Sequence, residues 1–434
     1  MTVSLRLTGI VALLLHLSLQ AAIGQEKKPE PVESEAPAAI LKSPIGTLLI
    51  GADESKQAWQ LPALFDYVPL EKTLIALPGS RAVVDLPRAG AQLILWGNLP
   101  ELSPSPVLQC VARLRAEKGA DAELSLVRGR IMLENTRKEG PVKARIHLAK
   151  EQLDVTLATP KSAIVLERFQ PWIAGVPFAI KPKTPRMADA HVALLVVKGK
   201  VEITRQGETH HVQEPAAFVG VGSGRLQGPS AVNKLPDWLW PNTDLSEKAT
   251  AWHKGVETLR RQFAAKKGVG SAVTATAGSK QAHARAVAVL SAAAVGNLPA
   301  VLAGWRDKSA EVRLAATRAL QNRISAGSEE DLELYHTLLE AKYPAGQAQT
   351  IMELLHGFSS AALTRPETYE ILINYLQHQQ PAIRELAAWN LYTLVPQGKS
   401  IPYDAAASQE ERARSQAAWR KLVPEGKVPP RDGD

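Results

Sequence analysis

The chain has 434 residues, 45% hydrophobic and 5% aromatic, with 51 Lys and Arg against 43 Asp and Glu for a formal charge of +8. That length accommodates two or three domains, each with its own core. A single cysteine, Cys110, excludes an internal disulfide and any Cys-based zinc or redox motif, and its apolar neighbours in "SPVLQCVARLRAE" make it a buried structural thiol.

Residues 1–24 read "MTVSLRLTGIVALLLHLSLQAAIG". Arg6 supplies a positive start, an apolar stretch runs from Ile10 to Leu19, and Ala22 and Gly24 are small residues where signal peptidase reads them. The stretch is short for a bilayer span, so we expect a signal peptide cleaved before Gln25; the alternative is an uncleaved N-terminal anchor. No cysteine follows the cleavage site, which argues against the bacterial lipoprotein route. With no other long apolar run, the mature chain is expected to be periplasmic or secreted, without a transmembrane span. Residues 25–40 are charged and proline-rich without apolar periodicity and read as a disordered linker.

Short apolar runs punctuated by turn residues follow: "IGTLLIG", "TLIALPGSRAVVDL", "AQLILWGN", "AELSLVRGRIMLEN", "KARIHL", "LDVTLATPKSAIVL" and "HVALLVVKGKVEITR". Their Val, Ile and Leu content and Gly and Pro boundaries predict an all-β region, divided into units over 41–105 and 106–228. Val201 and Ile203 alternate with Glu202 and Thr204 as in a half-buried strand, while 193–197 is apolar on both faces as in a central one. Two echoes suggest duplication. "LSLVRGRIML" matches "LLVVKGKVEI", with Gly129 and Gly199 at a tight turn or bulge, and "LPGSRAVVDL" matches "TPKSAIVLERF".

The run "LVRGRIMLEN…VTLATPKSAIVLERF…ALLVVKGKVEITRQGETHHVQEPAAFVGVG" resembles the FecR-like β-domain of bacterial envelope proteins over roughly residues 122–224, with a weaker preceding copy over 43–98. The resemblance implies Gly-Xaa-Val strands around a Ser-Xaa-Val strand and a closing hairpin. Signalling members of that family carry a cytosolic tail and a transmembrane helix that control a sigma factor. Here an export signal stands in their place, so the module is expected without that role.

The period then changes. A junction over 229–279 contains "LPDWLWPNTD", whose Trp238 and Trp240 are expected to pack the two halves together. Trp252, Val256, Leu259 and Phe263 share a helix face, with Asp244 and Glu247 resembling a capping box, and "GVGSAVTATAGS" reads as a flexible loop. Over 280–424, Val312-Arg313 aligns with Ile383-Arg384 at an offset of 71, which predicts tandem helical repeats. The segment "WRDKSAEVRLAATRAL" resembles a HEAT repeat. That resemblance implies Asp307 in the inter-helix turn, Arg313 bonded near it, and Val312, Ala315, Ala316 and Leu320 packed inward. A last helix with Ala413, Ala417 and Trp419 is expected to cap the array, and 425–434 reads as a disordered tail.

Chemistry-bearing patterns are sparse. His210 and His211 fall on opposite faces of a strand and cannot easily ligate one metal together. "GVGSG" lacks the lysine and helix of a phosphate loop, and no serine sits in a Gly-Xaa-Ser-Xaa-Gly elbow. We therefore expect a β-then-α multidomain protein with no cofactor, no metal and no catalytic residue. The basic excess lies in the first half, where residues 41–235 carry 25 Lys and Arg against 18 Asp and Glu. That favours a protein or anionic envelope polymer as partner, and export argues against nucleic acid. Arg318, Gln321, Asn322, Asn390 and Tyr392 are the candidate binding residues, on the exposed side of the second helices. The expected role is an exported, non-enzymatic envelope scaffold. A carbohydrate-binding or carbohydrate-active protein is the alternative, and a FecR-type signalling component the second. The oligomeric state is left open.

Overall fold

The computed structural model describes residues 38–51, 59–99, 107–116, 119–149, 151–181, 189–221, 227–236, 239, 246–265 and 268–429. The export segment, most of the linker, Asp244, Trp238 and Trp240 lie outside these residues. A β-region precedes a helical one, as expected, and 37–434 form one compact unit.

The first β-unit comprises β1 (Ile40–Leu41), β2 (Leu48–Gly51), β3 (Trp59–Gln60), β4 (Thr73–Ala76), β5 (Arg81–Leu86), β6 (Ala91–Trp96), β7 (Cys110–Leu114) and β8 (Ala122–Asn135). The second comprises β9 (Val142–Leu148), β10 (Glu151–Leu157), β11 (Ala163–Phe169), β12 (His191–Lys198), β13 (Lys200–Arg205), β14 (Glu208–Gln213), β15 (Ala216–Val221) and β16 (Gln227–Ala231). They form two layers. Layer A runs β1-β5-β6-β8-β11-β12-β15-β16, and layer B runs β3-β2-β4-β7-β8-β9-β10-β13-β14. Inward residues of both layers, such as Leu48, Leu93, Leu124, Ile146 and Leu194, enclose one core.

β8 belongs to both layers. Its first half pairs with β7 and, in parallel, with β9 in layer B; its second half pairs with β6 and β11 in layer A. The crossing point is Gly129, at φ +109°, where a Cβ would run into the Cα of Cys110.

The two units repeat one strand plan. In each, a layer-B strand (β4, β10) leads through a turn to two layer-A strands (β5-β6, β11-β12) and back to a layer-B strand (β7, β13) paired with the first. The turns match: Ser80 N–H donates to Leu77 O at 2.9 Å and Ser162 N–H to Thr159 O at 3.0 Å, with Gly79 at φ +76° and Lys161 at φ +63°. So "LPGSRAVVDL" and "TPKSAIVLERF" are equivalent segments. Gly129 and Gly199 are not. β8 crosses from B to A, whereas β12-Gly199-β13 crosses from A to B. The topological counterpart of Gly199 is Gly97, whose N–H donates to Ser80 O at 2.9 Å.

Each unit carries insertions that the other lacks. Residues 98–109 join β6 to β7, where the second unit uses Gly199 alone. Residues 170–190 join β11 to β12, where the first unit turns over 87–90. Both insertions feed the helical half: Leu99 and Leu108 enter its core, and Trp172 and Phe178 pack against it.

That half comprises α1 (Glu247–Ala264), α2 (Val269–Ala277), α3 (Ala282–Ala294), α4 (Leu298–Gly304), α5 (Ala310–Ile324), α6 (Ser328–Glu340), α7 (Ala345–His356), α8 (Pro366–Tyr375), α9 (Pro381–Leu394) and α10 (Gln409–Leu422). The odd-numbered helices α1 to α9 stack in succession. Trp252, Val256, Leu259 and Phe263 are buried as expected, but Ser246 caps α1, its Oγ accepting from Ala249 N–H at 3.1 Å. The expected loop over 268–279 is instead α2. Its Val269, Ala272, Val273 and Thr276 make a buried i, i+3, i+4, i+7 stripe that the Gly and Thr content conceals.

Val312, Ala315, Ala316 and Leu320 pack inward as expected. Three arginines clamp the array. Arg285 Nη1 donates to Ser279 O and Lys280 O, Arg313 Nη1 to Asp307 O, and Arg384 Nη1 to His378 O and Gln379 O, all at 2.7–3.1 Å. Each closes the turn before its own helix and then reaches onward: Arg285 to the Asp307 carboxylate, Arg313 to Glu385 and Asp404, Arg384 to Ala405 O. Trp419 of α10 is buried, whereas Ala413 and Ala417 are exposed, and Ser415 and Gln416 add hydrogen bonds to Pro402 O and Ile373 O.

Candidate functional site

The proposed binding residues do not form an open face. Gln321 is 6% exposed and Asn390 2%. Asn390 Nδ2 donates to Leu354 O at 3.0 Å and Leu386 O at 2.8 Å. Tyr392 is half-buried, its hydroxyl donating to Ile401 O at 2.6 Å. Asn322 lines a cleft of water-molecule size with Gln109, Arg128 and Phe169 of the β-half. Arg318, beside them, is only partly exposed. Part of this side of the array faces the β-half. Three carbonyls at the end of α7, those of Leu354, Leu355 and His356, accept from Asn390, from Trp172 Nε1 at 3.0 Å and from Gly175 N–H at 2.8 Å. Helix ends leave such carbonyls without intrahelical donors, and the 170–181 segment supplies two of the missing ones. Trp172 also meets Trp389 edge-on, and Phe178 stacks on His356.

An open surface lies elsewhere, on the outer face of layer B. The last rung before the shared turn is Leu48-Ala76-Cys110 in the first unit and Val142-Leu157-Val201 in the second. The next rung points outward. In the first unit it is Leu49-Ile75-Val111, buried in the helical core beside α1. In the second unit it is Lys143-Thr156-Glu202, continued by His211 of β14, and all four reach solvent. A parallel row aligns Glu123, Arg145, Asp154, Thr204 and Thr209, and another aligns Arg113, Ser125, His147 and Gln152.

Charges in these rows are matched locally. Arg145 Nε lies 2.8 Å from Asp154, His147 Nε2 lies 2.7 Å from Glu123, and His211 lies 3.3 Å from Glu202. At one margin, Glu151, Gln152, Asp154, Thr204, Arg205, Gln206 and Gly207 line an open groove of about 360 Å³, with Arg205 donating to Glu151 at 2.6 Å. The surface offers dense hydrogen bonding and both signs of charge. His210 and His211 take opposite faces as expected, His210 lying edge-on to Phe218 at 5.6 Å. Among the described residues, no three His, Cys, Asp or Glu side chains converge as metal ligands, and no helix is long and apolar enough to cross a membrane. Burial pushes the Cys110 thiol up to about 12, which removes it from thiolate chemistry.

The sequence signal for this face was the polar member of each alternation in "KARIHL", "LDVTLAT" and "KVEITR". Its counterpart was the two-sided apolar character of "LLIG" and "TLIA". No family model, no curated protein and no solved structure matches the chain.

Proposed function

We propose that the chain is an exported, non-enzymatic scaffold of a bacterial cell envelope, in which a FecR-like β-module carries the recognition surface and a HEAT-like helical array buttresses it. The observation that carries this reading is the contrast between equivalent rungs. Helices bury the Leu49-Ile75-Val111 rung of the first unit, while the equivalent rung of the second is polar and reaches solvent. Lys143 and Arg145, two residues apart on β9, give it cationic groups at strand spacing, which suits an extended anionic envelope polymer. The groove at Glu151 and Asp154 supports a second reading, carbohydrate binding, because paired acidic and guanidinium groups hydrogen-bond vicinal hydroxyls well.

Heparin serves as the test polyanion. Lys143→Gln with Arg145→Gln is expected to elute from immobilised heparin at markedly lower salt than the parent, with at most a small loss of thermal stability from the Arg145–Asp154 pair. Equal elution by parent and variant removes this face from the reading, and a glycosidase activity lost with Glu151→Gln overturns the non-enzymatic one.

A further inference from the structure

The strand plan shared by the two β-units also fixes which side chains close the far end of the sandwich, away from the shared turn. Counted from Ser80 and Ser162, Leu86 at the end of β5 is equivalent to Arg168 in β11. Counted from Cys110 and Val201, which hold the same rung, Leu114 at the end of β7 is equivalent to Arg205 at the end of β13. All four continue the inward set of their strands: Val84 and Ala112 precede the leucines in the core, and Leu166 and Ile203 precede the arginines. Leu86 and Leu114 belong to that core themselves. The first unit thus ends in one leucine from each layer, and the second in one arginine from each.

The two arginines differ in what they meet. Arg205 is 7% exposed and donates to Glu151 at 2.6 Å. Arg168 is 9% exposed. Its cross-strand neighbours are Gly129 of β8 and Val192 of β12, and neither offers a counter-charge. Among the described residues, its side chain makes no hydrogen bond and no ion pair. Burial lowers its pKa from the usual arginine value, and no carboxylate stands close enough to oppose the shift. A guanidinium keeps its charge in proteins, so Arg168 is an enclosed cation without compensation, which is strongly unfavourable for folding. The fold does not ask for it, since leucine serves at the equivalent position. Its guanidinium nitrogens still reach solvent at the end of the sandwich.

We propose that Arg168 anchors an oxyanion site at the far end of the second β-unit, where it takes a carboxylate or phosphate group from outside the chain. The guanidinium is planar, and its paired N–H donors match two oxygens of such a group. Its stem is held by the sandwich, so little side-chain freedom remains to be lost on binding. Arg205 is the poorer anchor, because Glu151 already answers its charge. The inference is independent of the outward rungs of layer B, since Arg168 faces the core from layer A.

The test uses the chain from Gln25 onward, which retains the whole compact unit. Phosphate and acetate are the probes, and sodium chloride at matched ionic strength is the control. At about twenty times its dissociation constant, the bound anion is expected to raise the melting temperature of the parent by roughly 2 °C. Arg168→Leu is expected to lose that rise. Without added anion it is expected to melt no lower than the parent, because leucine fills this position in the first unit. As a second measurement, equilibrium dialysis of each labelled anion is expected to show binding that weakens roughly tenfold or more in the variant. A response to phosphate alone assigns a phosphate group, and one to acetate alone a carboxylate. Failure of the parent to bind either anion in dialysis overturns the proposal whatever the variant does. So does a rise in melting temperature that chloride reproduces or that Arg168→Leu retains in full.

Discussion

Leu49, Ile75 and Val111 in the first β-unit and Lys143, Thr156 and Glu202 in the second occupy the same rung of the same strand plan. The first three are sealed by helices and the others are wet. The inward residues on both sides of this rung are alike in kind, Leu48 and Ala76 against Val142 and Leu157. A sheet has two faces governed by alternate residues. One set fixes the sandwich, and the other is free to make its back either an interior or a surface. The difference between the units is therefore one of outward residues alone, and substitutions there separate docking from folding.

The strongest test exchanges the rung. Val111→Glu puts an unpaired carboxylate under the helices and is expected to cost about 3 kcal/mol or more, read as a lower urea midpoint. The reciprocal Glu202→Val is expected to stay within about 0.5 kcal/mol. Equal effects would break the comparison.

The paired crossing glycines come next. A Cβ on Gly97 runs into the backbone carbonyl of Leu77, while one on Gly199 meets mainly the Ser162 hydroxyl, at φ +73°. Gly97→Ala is expected to cost about 2–4 kcal/mol, and Gly199→Ala about 1–2 kcal/mol.

A smaller effect belongs to the helices that hold the first unit. Burial pushes the Asp307 carboxyl up, but hydrogen bonds from Arg285 and Ser309 N–H outweigh it and leave it below the usual carboxylate range. A folded-state value below the unfolded one stabilises at higher pH and is lost as pH falls. Asp307→Asn is expected to lower stability by about 1–3 kcal/mol at neutral pH. That difference should disappear on acidification below about pH 4, near the unfolded carboxylate value. A pH-independent difference would exclude the ion pair as its source.

The smallest effect lies at the shared turn. Lys161 holds φ +63° where Gly79 holds +76°, so Lys161→Gly is expected to raise stability by less than about 1 kcal/mol, the relief of strain partly offset by backbone entropy.

What the sequence disclosed follows from how each half is joined. The helical repeats are tied by side chains, Arg285, Arg313 and Arg384, so the Val312-Arg313 and Ile383-Arg384 echo marks equivalent positions. The β-units are tied by backbone pairing along β8, which asks little of side-chain identity. Only the turn, with its buried Ser80 and Ser162, keeps a recognisable match, and the apparent Gly129 and Gly199 pair joins strands that cross in opposite senses. α2 was hidden because small residues supply a helix face without looking apolar. The bare face of layer B was written in alternation, but nothing local says that helices far along the chain cover one unit and spare the other. The burial of Asn390 has the same cause in part, since one of its two acceptors, Leu354 O, lies in a distant helix.

The docking of α1 on Leu49, Ile75 and Val111 also bears on how the molecule is made. The β-half is synthesised first, and until the helices have followed, those three side chains together with Leu77, Leu99 and Leu108 lack the helical part of their core. A nascent chain arrested before α1 would hold a nearly complete sandwich with a sticky back. The interval between synthesising β16 and completing the helices that cover this face is thus one of aggregation risk.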